Sequence, residues 1–158
     1  MIDPAHLGRR YGPYRYAVGL EEIRDFAVTV AGGVPGRVFS GAPPEAPHPL
    51  FVDEATARAS RHGAVIAPPT FCVRFAMQPF TEACADPVLG IDLVKLLHGE
   101  QTLRYGEVVH PGDVLETTGE ITDLRQKAGM DFLTVTTKTT NQHGRPVVVG
   151  TWTAVVRP

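Results

Sequence analysis

Four runs of β-branched and aliphatic residues crowd the last third of the chain: Gln101–Val109, Val114–Leu124, Phe132–Thr140 and Val147–Val156. Each has the length of a strand and is rich in Val, Ile and Thr, whose branching at Cβ suits a pleated surface. The spacers between them are turn formers: His110-Pro111-Gly112-Asp113, Lys127-Ala128-Gly129 and Asn141-Gln142-His143-Gly144. A parallel crossover needs roughly a dozen residues or more, and these spacers are too short for one. The runs are therefore predicted to be antiparallel neighbours joined by hairpins.

Such a sheet must cover its apolar face. The stretch from Pro69 or Thr70 to about Phe80 supplies a cover, because Phe71, Val73, Phe75, Ala76 and Met77 leave few polar positions on a helix. Proline in the first turn costs little, since those N–H groups have no helical acceptor anyway. Upstream, Tyr14–Val18 reads as a short strand with Tyr14 and Tyr16 on one face. Leu20, Ile23, Phe26, Ala27 and Val30 recur at helical spacing, Glu21 and Glu22 favour the first turn, and Gly32-Gly33 ends the helix. Asp53 to Ser60 reads as a short helix with Asp53 as its N-cap. Residues 1–13 read as an irregular lead-in, 32–49 as a Gly/Pro-rich loop, and 81–97 as a loop with a short turn or strand. The sum is an α+β domain over residues 1–158, with a curved antiparallel sheet of about five strands round a buried central helix.

Composition narrows function mainly by exclusion. A net charge of −2 without like-charge blocks leaves no electrostatic footprint for nucleic acid or an anionic membrane. No apolar run approaches the ~20 residues of a membrane helix, and Met1-Ile2-Asp3-Pro4 has neither part of a secretory signal. Cys72 and Cys84 are too few for a disulfide framework or a zinc site, which predicts a reducing, cytoplasmic setting and no metal. A phosphate-cradling glycine loop is missing too, so no redox cofactor is expected.

The middle of the chain carries a resemblance. Pro49-Leu50 sits between His48 and Phe51, Ala57 follows Phe51 after five intervening residues, and Ile66-Ala67-Pro68-Pro69-Thr70-Phe71 comes next. This segment resembles the active-site segment of the MaoC-like (R)-specific enoyl-thioester hydratases and dehydratases, which reads Gly-Asp-x-Asn-Pro-(Leu/Ile)-His, five residues, then a small one. It is most similar to the non-catalytic FAS1-like dehydratase N-terminal relatives. Gly12-Pro13-Tyr14-x-Tyr16-x-Val18-Gly19, Glu22-Ile23-x-x-Phe26-Ala27, His98-Gly99-Glu100-Gln101 and Pro111-Gly112-Asp113 extend the likeness over most of the chain. The resemblance implies a hotdog fold, dimers that extend the sheet, and acyl-thioester sites between subunits in fatty-acid or polyketide metabolism.

Where the family has its Asp, Asn and His, this chain has Ala46, His48 and Phe51. Neither Ala46 nor Phe51 can move a proton, so the acid–base pair that dehydration needs is missing. The Gly whose N–H polarises the thioester corresponds to Pro69, which has no N–H. No catalytic residue is therefore assigned. Substrate binding is assigned to Thr70, Phe71, Cys72, His98 and Gln101. Phe71, Phe75 and Met77 read as core before tunnel lining, and Cys72 reads as inert core or channel wall. His98 reads either as a strand-end histidine bonded to backbone or, with Gln101, as a contact to the thioester or the dimer seam. Arg9 and Arg10 read as solvated arginines or as partners for coenzyme A phosphates or an acyl carrier protein.

Together these readings imply the substrate-holding half of a (3R)-hydroxyacyl-thioester dehydratase, paired with a catalytic MaoC-like subunit in preference to a second copy. The substrate would be an acyl-CoA or an acyl carrier protein, with coenzyme A or phosphopantetheine as part of it. The alternatives are a non-catalytic acyl-thioester-binding homodimer, and a hotdog thioesterase using His98 or Glu100.

Overall fold

A computed structural model describes residues 2–31 and 46–158, so the Gly32-Gly33 stop and most of the proline-rich loop lie outside the described residues. The chain forms two compact units: Met1–Tyr16 with Cys72–Glu107 and Leu115–Pro158, and Ala17–Phe71 with Val108–Val114.

The first unit is built on a five-stranded sheet of β1 (Arg10–Ala17), β2 (Leu96–Tyr105), β3 (Val114–Lys127), β4 (Met130–Thr140) and β5 (Pro146–Val156), in the order β1-β3-β4-β5-β2. The β3–β4 and β4–β5 pairs are antiparallel and joined by short turns, as expected, but β2 is not the hairpin neighbour of β3: it ends at Tyr105, too far from Val114 for a tight turn, and pairs antiparallel with β5 instead. Period-2 alternation sends Leu115, Thr117, Ile121, Leu133, Val135, Thr137, Val148, Trp152 and Ala154 inward, all fully or nearly fully buried. The hydroxyls among them are satisfied. Thr117 and Thr139 share a hydrogen bond of 2.8 Å, and Trp152 Nε1 donates to Thr137 Oγ1 at 2.9 Å.

The cover of this face is helical, as expected, but divided. A 3-10 turn at Pro69–Cys72 leads into α3 (Val73–Ala76) and α4 (Gln78–Ala85); α1 and α2 belong to the second unit. The single helix expected to end near Phe80 is interrupted at Met77, because Pro79 has no N–H and its ring would crowd the carbonyl one turn back. Helix then resumes to Ala85, burying Pro79, Phe80, Ala83 and Cys84. So the segment read as loop from residue 81 is helical at its start. A 3-10 turn at Pro87–Leu89 comes after it, capped by Asp86, and closes on Gly90 in the left-handed region.

Glycine permits the tightest contact in this layer. A Cβ on Gly119 of β3 would collide with the Pro79 ring. The N-terminal lead-in is likewise more regular than expected. β1 starts at Arg10 rather than Tyr14, because Gly12, at φ +91°, brings the strand so close to β3 that a Cβ would lie 2.7 Å from the Thr117 carbonyl. Tyr14 and Tyr16 are half-buried with Arg15 exposed between them, the alternation expected. β2 runs from Leu96 to Tyr105 rather than from Gln101 to Val109, since its ladder to β5 already begins at Leu96 opposite Val156.

In the second unit, α1 (Leu20–Val30) matches the helix expected there and buries Ile23 and Ala27. Its first turn is closed by the Gly19 N–H donating to Glu22 Oε2 at 3.1 Å. The short helix α2 (Glu54–Ala59) starts at Asp53, as expected, and buries Ala57.

Candidate functional site

The segment that carries the resemblance lies in the second unit and is held by local bonds. His48 Nδ1 accepts the Leu50 N–H at 3.3 Å and caps a 3-10 turn at Pro49–Phe51. Asp53 Oδ1 accepts the Thr56 N–H at 2.6 Å and caps α2; hydrogen bonds from Thr56 hold that carboxyl below the usual carboxylate range. Arg24 on α1 reaches the Val52 carbonyl at 3.2 Å, Glu54 at 2.9 Å and Glu21 at 2.6 Å, so one half-buried guanidinium ties α1 to the start of α2. The Ile66 N–H donates to the Leu50 carbonyl at 3.2 Å, and the Ala67 N–H to the Val109 carbonyl at 2.8 Å.

In this frame Ala46 is exposed, Phe51 is half-buried against the His48 ring at 5.7 Å, and Pro69 opens the 3-10 turn without an N–H. None of the three can donate or accept a proton. Of the residues assigned to substrate here, Thr70 is exposed, whereas Phe71 is fully buried with its ring edge-on to Phe26 at 5.4 Å. Phe71 therefore acts as core, the first of its two readings.

In the first unit the chemistry gathers on the helix-facing side of β2, the strand at one end of the sheet. Residues directly opposite in a ladder share a face. His98 lies opposite Ala154, Gln101 opposite Trp152 and Tyr105 opposite Val148, and those three β5 residues are buried. A bulge between His98 and Glu100 keeps His98 and Gln101 on one side although they are an odd number of residues apart. It also turns Glu100 to the opposite, outer face. The bulge needs Gly99, where a Cβ would lie 2.8 Å from Val155 Cγ2.

The exposed His98 ring rests 5.4 Å from the buried Phe80 and 6.1 Å from the buried Trp152, which stack on each other at 6.2 Å. The ring thus packs on the helix-facing side of β2. Further along β2, Tyr105 Oη meets Cys72 Sγ at 4.0 Å. Burial raises the Cys72 thiol, and burial followed by the neighbouring Cys72 pushes Tyr105 up to about 12. Cys72 is held as a neutral thiol, unsuited to attack a thioester.

Cys72, His98 and Gln101 are thus brought to one side of β2, joined by Tyr105, Phe80 and Trp152, which the sequence pattern does not single out. Counting by twos back from Tyr105 reaches Gln101, but reaches His98 only once a bulge is placed at Gly99. Arg9 and Arg10 are committed elsewhere, to Asp86 at 2.8 Å and Glu120 at 3.1 Å. Among the described residues no three His, Cys, Asp or Glu side chains are grouped to hold a metal, and no helix is long and apolar enough to cross a membrane.

Residues 5–149 match the family described as FAS1-like, dehydratase domain region. A UPF0336 protein of Saccharopolyspora erythraea is 34% identical over 157 residues, covering 99% of this chain and 92% of the relative. A solved MaoC-like dehydratase superposes with a TM-score of 0.77 at 27% identity, over 97% of this chain and 42% of that one. The C-terminally truncated HadBC (3R-hydroxyacyl-ACP dehydratase) complex from Mycobacterium tuberculosis superposes at 0.74 with 22% identity, over 95% and 96%. The fold is the α+β hotdog fold expected from the strand pattern and the buried helical run. With the match spanning most of its length, this chain belongs to the FAS1-like dehydratase family within the MaoC-like hotdog proteins.

Proposed function

We propose that this chain is the substrate-holding subunit of a (3R)-hydroxyacyl-thioester dehydratase whose acid and base come from a partner subunit. The reaction removes the Cα proton and releases the β-hydroxyl as water, giving a trans-2-enoyl thioester, and runs in reverse as hydration. It needs one group to take a proton and one to give one. The observation that carries the reading is a family frame kept by the caps at His48 and Asp53, with Ala46 and Phe51 where the pair belongs and Pro69 where a donor belongs. Losing one such donor costs on the order of a hundredfold in rate, and here the pair is missing as well.

His98 and Gln101 are the polar groups this chain offers to the thioester from β2, with Cys72 behind them as apolar wall. The coenzyme A or phosphopantetheine arm arrives as part of the substrate, and proton transfer with loss of water asks for no redox group. Support for a heteromeric hotdog dimer comes from the HadBC neighbour, itself a complex. The two free, buried cysteines favour a reducing, cytoplasmic setting. Glu100 points away from His98 across the bulge, so a thioesterase on this strand would use one of the two and not the pair.

The purified chain is tested against a short trans-enoyl thioester, following loss of the conjugated double bond and release of free thiol together. Alone it is expected to give neither. Co-expressed with a partner carrying the full Asp/His motif it is expected to support hydration, and His98→Ala or Gln101→Ala in that complex should raise KM more than it lowers kcat. Hydration by the chain alone, free thiol release, or a complex indifferent to both substitutions would overturn the proposal.

A further inference from the structure

The hydroxyl of Tyr105 is aimed at the start of the helical layer. Its oxygen stands 4.0 Å from Cys72 Sγ, and Cys72 closes the 3-10 turn that Pro69 opens. Sulfur is a weak hydrogen-bond partner, so this contact holds the phenol in place while leaving its O–H to any better acceptor. The main chain beneath the ring is fixed as well. Tyr105 lies opposite Val148 at the end of the β2–β5 ladder. The next two N–H groups, of Gly106 and Glu107, donate to the Val147 and Pro146 carbonyls at 2.8 and 2.9 Å. A Cβ on Gly106 would collide with the Pro146 carbonyl, so this approach depends on the glycine. The Tyr105 side chain itself stays 54% exposed.

Dehydration builds negative charge on the thioester oxygen as the Cα proton leaves, and a donor already held in place stabilises that charge. Pro69 brings no N–H to this task. We propose that the Tyr105 phenol is this chain's hydrogen-bond donor to the thioester oxygen. This role rests on the dehydratase reading, and it gives the two ends of the β2 surface different parts of one substrate. Strand rise separates Tyr105 from Gln101 by about 13 Å, more than one carbonyl can bridge. The carbonyl therefore belongs at Tyr105, and the amides of the pantetheine arm belong at Gln101 and His98.

Tyr105 is a donor here and not a base. Burial, followed by the neighbouring Cys72, pushes it up to about 12, so the phenol keeps its proton at neutral pH. The electron pair left by the Cα proton rests on the oxygen under this hydrogen bond. It returns to re-form the carbonyl as the Cα–Cβ double bond forms and the bond to the β-hydroxyl breaks, and the partner's acid turns the departing hydroxyl into water.

The test uses this chain co-expressed with a partner carrying the full Asp/His motif. Tyr105→Phe removes only the hydroxyl, and circular dichroism confirms that the variant is folded. It is expected to lower kcat for hydration of a short trans-enoyl thioester roughly a hundredfold with KM little changed, the reverse of the pattern expected for His98→Ala and Gln101→Ala. A second readout does not respond to a merely structural role. Butyryl-CoA, isotope-labelled at its carbonyl carbon, has no double bond to hydrate, and its infrared carbonyl stretch reports hydrogen bonding directly. The stretch should fall on binding to the parent complex and return towards its solution value in Tyr105→Phe. A complex without hydration would strike the dehydratase reading, while the carbonyl stretch still answers for Tyr105. A Tyr105→Phe complex that hydrates at the parent rate, that raises KM in place of lowering kcat, or that leaves the stretch where the parent has it would overturn the proposal.

Discussion

Replacing Gly119 by Ala tests how the helical layer is seated on the sheet. The new Cβ would enter the space of the Pro79 ring, with Val135 Cγ1 next at 3.4 Å. Neither side yields easily. The pyrrolidine ring is rigid, and β3 lies between β1 and β4 in the sheet. Overpacking of this kind costs about 1–3 kcal/mol. Reduced freedom of the unfolded chain returns about 0.4–1 kcal/mol, so the collision wins and a net loss of about 1–2 kcal/mol is expected. For a domain of this size that lowers Tm by about 2–4 °C per kcal/mol.

The relief available is a displacement of α4, which carries Phe80 away from Trp152. Trp152 is the only tryptophan, so its fluorescence reports both the unfolding transition in urea and the change in stacking. Pro79→Gly in the same chain takes the ring away from the intruding methyl. The double variant should therefore lose less than the sum of the singles, by at least about 0.5 kcal/mol. A Gly119→Ala variant within 0.5 kcal/mol of the parent, taken as ordinary surface scatter, with an unchanged emission spectrum, would refute the reasoning.

Thr137→Val keeps the shape of the side chain but leaves the Trp152 Nε1–H without its acceptor in a fully buried place, at a cost of about 1–3 kcal/mol; Thr137→Ser keeps the acceptor and should lose less in the same urea titration. Asp86 accepts from Arg9 at 2.8 Å, Tyr11 at 3.0 Å and the Val88 N–H at 2.9 Å, and the Val88 bond leads the causes that hold its carboxyl below 3.8. Because the folded value lies below the unfolded one, this stabilisation is complete above the unfolded value and drains away as pH falls through the folded one. The stability difference between parent and Asp86→Asn should be level near neutrality and shrink below about pH 4; an undiminished difference at pH 3 would contradict it.

Much of the architecture was legible because it rests on short-range rules. The four C-terminal strands arise from β-branched runs and turn residues, α1 from its apolar spacing, and the start of α2 from Asp53. The misreadings came where a single residue acts through a distant one. Gly12 looked like a loop signal, yet it lets β1 approach β3. Pro79 divides the apolar run read as one helix, and Gly119, some forty positions on, supplies the space for its ring. Gly99 hides a bulge that reassigns every side chain after it on β2. Of the site, residue type alone shows that Ala46 and Phe51 cannot transfer a proton. The surroundings of His98 were not legible, because Phe80 and Trp152 reach it through tertiary packing that no local pattern encodes.

The two caps in the segment 46–60 have an evolutionary corollary. His48 holds its turn with a ring nitrogen in the role an asparagine carboxamide would fill at a helix start. Asp53 and Arg24 hold the start of α2, and none of these bonds is made by Ala46 or Phe51. The fold of the segment is thus independent of what stands at positions 46 and 51, and either place can change in sequence with the turn and α2 standing throughout.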